Sequence, residues 1–390
     1  MNKHITTALC LTAFSLLCTP VPAANKAKTA VPAGMTKAEA ETAKDSIAQA
    51  WKKEMRAKYI DNWNTSLVKV GGKTMRYWEN RYGKAPEGGF PLYISLHGGG
   101  SGPAEMNNQQ WDNQKHLYVP ANAWYIAPRA PYDDWDMWCK PDLDQYYETL
   151  ITMAQACANV NPDRIYIMGY SAGGDGVWRM APRMADRWAA ASMMAGHPGD
   201  VQLENLRNTP YMIWCGALDA AYDRNKEDAR RGEVMDSLQQ ADPEGYIHET
   251  HIVEGKAHWM DRVDTVAVSW MAQYKRNPYP TKIVWRQEEV VRPSFYWLTA
   301  PANELERGKT VRLEVKGNVI DINECDYSTL TLWLNDQLVD LDQKVKIICK
   351  GKTLYNGFVA RSADNLKTSL YDRGDLSFSF PAKVEVKIKK

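Results

Sequence analysis

Six short apolar runs recur through the middle of this chain, most of them parted by a helix-length stretch. They are P-L-Y-I-S-L-H at 91–97, A-W-Y-I-A-P at 123–128, R-I-Y-I-M-G at 164–169, A-A-A-S-M-M-A-G at 189–196, Y-M-I-W-C-G at 211–216 and I-H-E-T-H-I-V-E-G at 247–255. A strand that is apolar on both faces must have both covered, and helices between strands do so. The fold class expected is therefore α/β, a doubly wound and mostly parallel sheet. Segments 143–159 and 225–240 supply two of the covering helices. In such sheets ligands gather beyond the carboxyl ends of the strands, and there this chain places glycines, a serine and histidines.

At 390 residues the chain exceeds what one core usually organises. Residues 1–24 have a basic start, a short apolar run and a small-residue exit, the pattern of a signal peptide cleaved near Ala23 or Ala24. An exported protein, periplasmic or extracellular, is expected. Residues 25–60 form a leader followed by an amphipathic helix over 36–60, with Ile47, Trp51 and Met55 at four-residue steps. The stretch around Gly71 and Gly72 reads as a hairpin opening the α/β domain, 61–280. After Pro280 alternating segments such as T-V-R-L-E-V-K and K-V-E-V-K-I-K predict an all-β domain over 281–390, a small sandwich.

The charge balance, 48 basic against 47 acidic residues, gives no long-range attraction to nucleic acid or anionic lipid. No segment has the length of a membrane span. Once Cys10 and Cys18 leave with the signal peptide, five cysteines remain, so at least one is free. Cys325 could pair with Cys349 and Cys139 with Cys157, whereas Cys215, inside an apolar run, reads as a buried thiol. No cysteine or histidine spacing suggests a metal site.

The decapeptide I-M-G-Y-S-A-G-G-D-G at 167–176 holds four glycines and one serine. It matches G-x-S-x-G, in which Ser171 occupies a sharp turn from strand to helix. A serine hydroxyl needs a base to take its proton, and the base needs an orienting carboxylate. The chain order expected is Ser, acid, His. Asp219 follows the strand at 211–216 and His258 follows the last strand, so both sit at strand ends. Asp223 is the alternative acid, farther from its strand. His248 and His251 fall within a strand. His197, in A-G-H-P-G-D, either contacts substrate or is structural, and His97 braces the loop it opens. That loop, H-G-G-G at 97–100, offers Gly99 or Gly100 as one backbone donor to an oxyanion, with Ala172 as the other. Such donors are worth roughly 3–4 kcal/mol each in acyl transfer.

The chain holds 15 tryptophans and only 6 phenylalanines. The surplus suits either a site for rings or sugars or a Trp-rich core. Trp135 and Trp138, in the loop after Pro128, are candidate pocket residues on the same two readings, as are Trp111, Tyr222 and Trp259.

With these motifs the chain resembles the α/β-hydrolases. More narrowly, G-Y-S-A-G-G-D-G-V-W, the later A-G-H-P-G and the G-x-x-H before Trp259 are similar to secreted esterases grouped with polyhydroxybutyrate depolymerases and feruloyl esterases. The similarity covers roughly residues 60–275. It implies hydrolysis of carboxylic esters (acetyl, feruloyl or short hydroxyacyl, as small molecules or on polysaccharide) without a cofactor. Hormone-sensitive-lipase-like esterases share both glycine motifs but carry a D-P-x-x-D acid arrangement absent here. Prolyl-oligopeptidase-type peptidases share G-x-S-x-G-G, generally behind a large propeller for which the leader is too short. A serine peptidase and a carbohydrate-binding protein with a dormant site are the alternatives in function.

Overall fold

A computed structural model describes residues 34–388, and the expected signal peptide lies outside them. Helix α1 (Lys37–Asn64) begins where the sequence provides a cap. The Thr36 hydroxyl accepts the Glu39 N–H at 3.2 Å, and the Glu39 carboxylate accepts the Thr36 N–H at 2.7 Å. The helix runs four residues beyond the expected Ile60 and buries Trp51 and Trp63.

Strands β1 (Leu67–Val70) and β2 (Lys73–Arg81) form the expected antiparallel hairpin, closed by Gly71 and Gly72 at φ 54° and 81°. Then follow β3 (Phe90–Leu96), α2 (Ala104–Lys115), β4 (Trp124–Pro128), α3 (Leu143–Cys157), β5 (Val160–Tyr170), α4 (Ala172–Arg183), β6 (Ala190–Met194), β7 (Tyr211–Gly216), α5 (Arg224–Ala241) and β8 (His248–Val253). The eight strands form one sheet in the order β1-β2-β4-β3-β5-β6-β7-β8. Pairing is antiparallel at β1–β2 and β2–β4 and parallel from there to β8. Every residue of β3, β6 and β7 is buried, which is why those segments read as unbroken apolar runs. Strand β8 is the sheet edge and keeps every residue partly exposed. Helix α3 buries Leu143, Tyr146, Tyr147, Leu150, Ile151 and Ala154 at the spacing a 3.6-residue period produces, with Asp144, Met153 and Gln155 buried beside them. No described helix is long and apolar enough to cross a membrane.

Beyond residue 281 the chain builds two sheets. One pairs Ser294–Phe295, Leu298–Thr299, Thr329–Leu334 and Ala382–Lys387, and the other holds Lys352–Gly357, Val345–Cys349, Val319–Cys325, Thr310–Lys316 and Lys282–Arg286. This segment is not all-β, because helix Ala363–Arg373 interrupts it. Its signals are local: Ser362 accepts the Asp364 N–H, Leu366 and Leu370 are buried four residues apart, and Gly374 ends the helix at φ 60°. Cys139, Cys157, Cys215 and Cys349 are free thiols, so neither suggested pairing is made.

Buried charge ties this segment to the α/β sheet. Arg276 donates to Asp375 at 2.8 Å and to Asp163 at 2.8 Å, and Arg187 reaches Asp375 at 3.2 Å. Arg373 pairs with Asp186. Burial pushes the Asp375 carboxyl up, but Arg276 and Arg187 outweigh it and hold it below its usual range. Asp186 behaves alike, with Arg373 as its main counter-charge.

The start of α4 lies hard against two strand ends. A methyl group on Gly173 would stand 2.1 Å from the Leu96 carbonyl oxygen, and one on Gly174 would stand 2.6 Å from that of Met194. Both obstacles are backbone and cannot swing aside. Gly173→Ala is expected to destabilise the fold by at least the roughly 1–3 kcal/mol of an overpacked core. A thermal midpoint equal to that of the parent chain would contradict this crossing.

Asp375→Ala leaves Arg276 buried with fewer counter-charges, an expected loss of roughly 3–5 kcal/mol in denaturant titration. Because the folded chain holds Asp375 and Asp186 below their unfolded pKa, their contribution is complete above roughly pH 4. It is lost as pH falls from there through the depressed folded values. Melting temperature is therefore expected to drop below that pH, and less steeply in Asp375→Ala.

Candidate active site

Ser171 sits between β5 and α4 with φ 58° and ψ −121°, a backbone conformation that L-residues rarely adopt. Its N–H donates to the Met194 carbonyl at 2.9 Å, which locks the turn against the end of β6. The strained turn aims the hydroxyl out of the sheet, and the adjoining helix N-terminus favours negative charge beside it.

The structure brings Ser171, His258 and Asp219 together from three strand ends. His258 Nε2 lies 2.9 Å from Ser171 Oγ, and His258 Nδ1 lies 2.7 Å from Asp219 Oδ2. The carboxylate assigns the ring proton to Nδ1, leaving Nε2 to accept from the serine hydroxyl. Asp219 is 2% exposed, so its charge is shielded from water and directed at the ring. Asp223, the alternative acid, is solvent-exposed and paired with Lys226 at 2.8 Å. It takes no part in this cluster.

Tyr170, next to the serine, was not singled out in the sequence. Its hydroxyl donates to the His258 carbonyl at 2.6 Å and accepts the Met260 N–H at 3.1 Å. Burial pushes the phenol well above its usual pKa, so it remains a donor. The loop carrying the imidazole is thereby pinned to the strand carrying the serine.

In the H-G-G-G loop His97 is fully buried and structural. Its Nδ1 donates to the Gly98 carbonyl at 2.6 Å and its Nε2 accepts the Ala130 N–H at 3.1 Å. Burial lowers its pKa to about 4, which keeps the ring neutral. Gly100 is not available as an oxyanion donor, because its N–H donates to Asn107 Oδ1 at 2.8 Å. Asn107 is itself held by Asp133 at 2.7 Å. Among the described residues the Gly99 N–H has no protein acceptor. As the first residue of α4, Ala172 likewise has a backbone N–H without an intrahelical partner. Of the three amides expected to face an oxyanion, those of Gly99 and Ala172 are thus the ones not engaged by an acceptor among the described residues.

Two clefts meet at Ser171. One, of about 780 Å³, is lined by Tyr170, His258, Trp259, Met106 and Arg262. The other, of about 750 Å³, is lined by Trp135, Asp175, Arg179, His197, Tyr222 and Arg224. Trp135 and Trp259 therefore border the site, as does His197. Trp138 does not: it is 1% exposed, donates from its indole nitrogen to the His97 carbonyl at 2.8 Å and packs edge-on to that ring. The expectation of a pocket role for Trp138 is corrected by its placement beneath the loop. Trp111 lines neither cleft and donates to the Ala127 carbonyl at 2.8 Å. His251 stacks on Trp214 with centroids 4.1 Å apart, and His248 bonds the Tyr246 carbonyl at 2.8 Å. Among the described residues no group of three His, Cys, Asp or Glu side chains could hold a metal ion.

Asp175 faces the second cleft, where its carboxylate accepts the His197 N–H at 2.6 Å. Burial raises its pKa, partly countered by that hydrogen bond. Neither Asp175 nor Arg224 carries a sequence signal distinguishing it from an ordinary helical charge. Only their height above the sheet brings them to the site.

No family model matches the chain. It is 28% identical over 141 residues to the "Putative esterase NocK" of Nocardia uniformis subsp. tsuyamanensis, a match spanning 33% of this chain and 40% of that protein. Among solved structures it is similar to a thermostable esterase, with a TM-score of 0.41 and 18% identity over 54% of this chain and 62% of the other. It is also similar to Est1E from Butyrivibrio proteoclasticus, with a TM-score of 0.35 and 13% identity over 53% of this chain and 95% of the other. The chain thus spans less than two thirds of the length of the first two. The strand order, the strained serine turn and the succession of serine, aspartate and histidine at three strand ends are those of the α/β-hydrolase fold.

Proposed function

We propose that the protein is an exported serine hydrolase of carboxylic esters, with Ser171 as nucleophile, His258 as general base and acid, and Asp219 as the group orienting His258. The observation that carries this reading is the unbroken hydrogen-bond line from Asp219 through His258 to the Ser171 hydroxyl, at 2.7 and 2.9 Å. As His258 Nε2 takes the hydroxyl proton, Ser171 Oγ attacks the acyl carbon and the carbonyl oxygen becomes an oxyanion. The Gly99 and Ala172 amides stabilise that charge. The imidazolium, steadied by the Asp219 carboxylate, gives its proton to the departing alkoxide, and an acyl-enzyme forms. Water, activated by the same imidazole, then releases the acid.

The substrate class is that of short-acyl and aroyl esters, among them acetyl, feruloyl and short hydroxyacyl esters, on a small alcohol or a polysaccharide. The open clefts and the exposed rings of Trp135 and Trp259 support a substrate larger than a simple ester. The C-terminal strands serve as an accessory domain.

Ser171→Ala and His258→Ala are each expected to lower turnover of p-nitrophenyl acetate by about three orders of magnitude or more, as for residues acting as one unit. Asp219→Asn is expected to cost a comparable factor, while Asp223→Asn stays within about twofold, because that side chain is exposed and apart from the cluster. Full activity in Ser171→Ala would refute the assignment. Faster release of amine from peptide anilides than of alcohol from matched esters would make the enzyme a peptidase instead.

A further inference from the structure

The second cleft contains a cation that the proposed chemistry does not use. Arg224, the first residue of α5, lines this cleft beside Ser171, and its side chain is 12% exposed. The other arginine there, Arg179, is committed to Asp200 at 2.7 Å and lies 3.7 Å from Glu289. Arg224 is only loosely held. Its Nη1 reaches the Ala221 carbonyl at 3.5 Å and lies 3.8 Å from Asp219 Oδ1, its Nε is buried without a partner, and its Nη2 has no protein acceptor among the described residues. A guanidinium with so little of its donor capacity satisfied is suited to bind a planar anion.

A second donor faces the same space. His197 Nδ1 accepts the Gly199 N–H at 3.0 Å, which leaves Nε2–H as the donor of the neutral ring. The one carboxylate lining the cleft, Asp175, already accepts the His197 N–H at 2.6 Å. Above them stand the exposed rings of Trp135 and Tyr222, with the Arg224 guanidinium 5.0 Å from the Tyr222 centroid.

The side of the substrate follows from the proton. His258 must protonate the departing alcohol, and His258 lines the other cleft. The cleft holding Arg224 borders Ala172 and not His258, so it receives the acyl group. We propose that Arg224, assisted by His197, binds a carboxylate at the far end of the acyl chain, so that the preferred esters are hemiesters of short dicarboxylic acids. This specificity rests on the serine-hydrolase reading given above, while the anion site itself does not.

The test compares p-nitrophenyl hemiesters of succinate, glutarate and adipate with p-nitrophenyl esters of butyrate, valerate and hexanoate, which have equal carbon counts. In the parent chain at least one hemiester is expected to exceed its neutral partner in kcat/KM. In Arg224→Gln the ratio of hemiester to neutral ester should fall roughly ten- to a hundredfold, the loss of one charged hydrogen-bonded contact, chiefly through KM. Arg224→Lys should retain part of the preference. A ratio unmoved by Arg224→Gln overturns the proposal, and an equal loss on both esters shows instead that Arg224 positions Asp219. Independently of turnover and of any variant's folding, glutarate should bind the parent chain in calorimetry while neutral glutaramide does not. If no ester is hydrolysed yet glutarate binds and Arg224→Gln abolishes binding, the hydrolase reading fails and the anion site stands. If glutarate and glutaramide bind equally or not at all, the site is refuted.

Discussion

The site depends on how closely the start of α4 is pressed against the ends of β3 and β6. Gly173 and Gly174 leave no room for a methyl group between the helix and the Leu96 and Met194 carbonyls. The Ser171 amide is tied to Met194 in turn. With helix and strands this near, the serine backbone cannot relax out of its left-handed conformation. The strain is held by packing against both strand ends, and it sets the height at which the hydroxyl stands above the sheet. The imidazole after β8 then meets it at hydrogen-bonding range, and the glycine loop after β3 lines the same two clefts. Tertiary contact here overrules the local preferences of a serine in a turn.

Much of this was legible in the sequence because buried parallel strands leave a plain signature. The runs at 91–97 and 211–216 are apolar throughout since β3 and β7 are covered on both faces. Ser171, Asp219 and His258 could be placed at strand ends before any coordinates, and the structure brings those three side chains together. The choice between Asp219 and Asp223 turned on distance from the strand, and four residues sufficed to carry Asp223 into solvent. Helix Ala363–Arg373 was harder to see, because its short cap and two leucines sit among alternating segments that favour strands.

Side-chain direction was beyond the reach of sequence. Trp135 and Trp138 lie three residues apart in one loop, yet one is 72% exposed and the other 1%. Nothing in the string W-D-M-W marks which ring turns beneath His97. Gly99 and Gly100 are likewise equivalent as letters, and only Asn107, reaching across from α2, distinguishes them by occupying one amide. Arg224 and Asp175 read as ordinary helical charges until the fold lifts both to the mouth of a cleft. Charge context is a property of neighbours, and the neighbours here are distant in the chain.

The Tyr170 hydroxyl, bridging to the His258 carbonyl and the Met260 amide, has a mechanical consequence. The residue beside the hydroxyl donor also anchors the segment bearing its acceptor, so the two partners ride on a common mount. Breathing of the surrounding rim, as large ligands enter and leave, carries both along together and leaves the gap a proton must cross the same width. The rim can be mobile while the centre stays in registration.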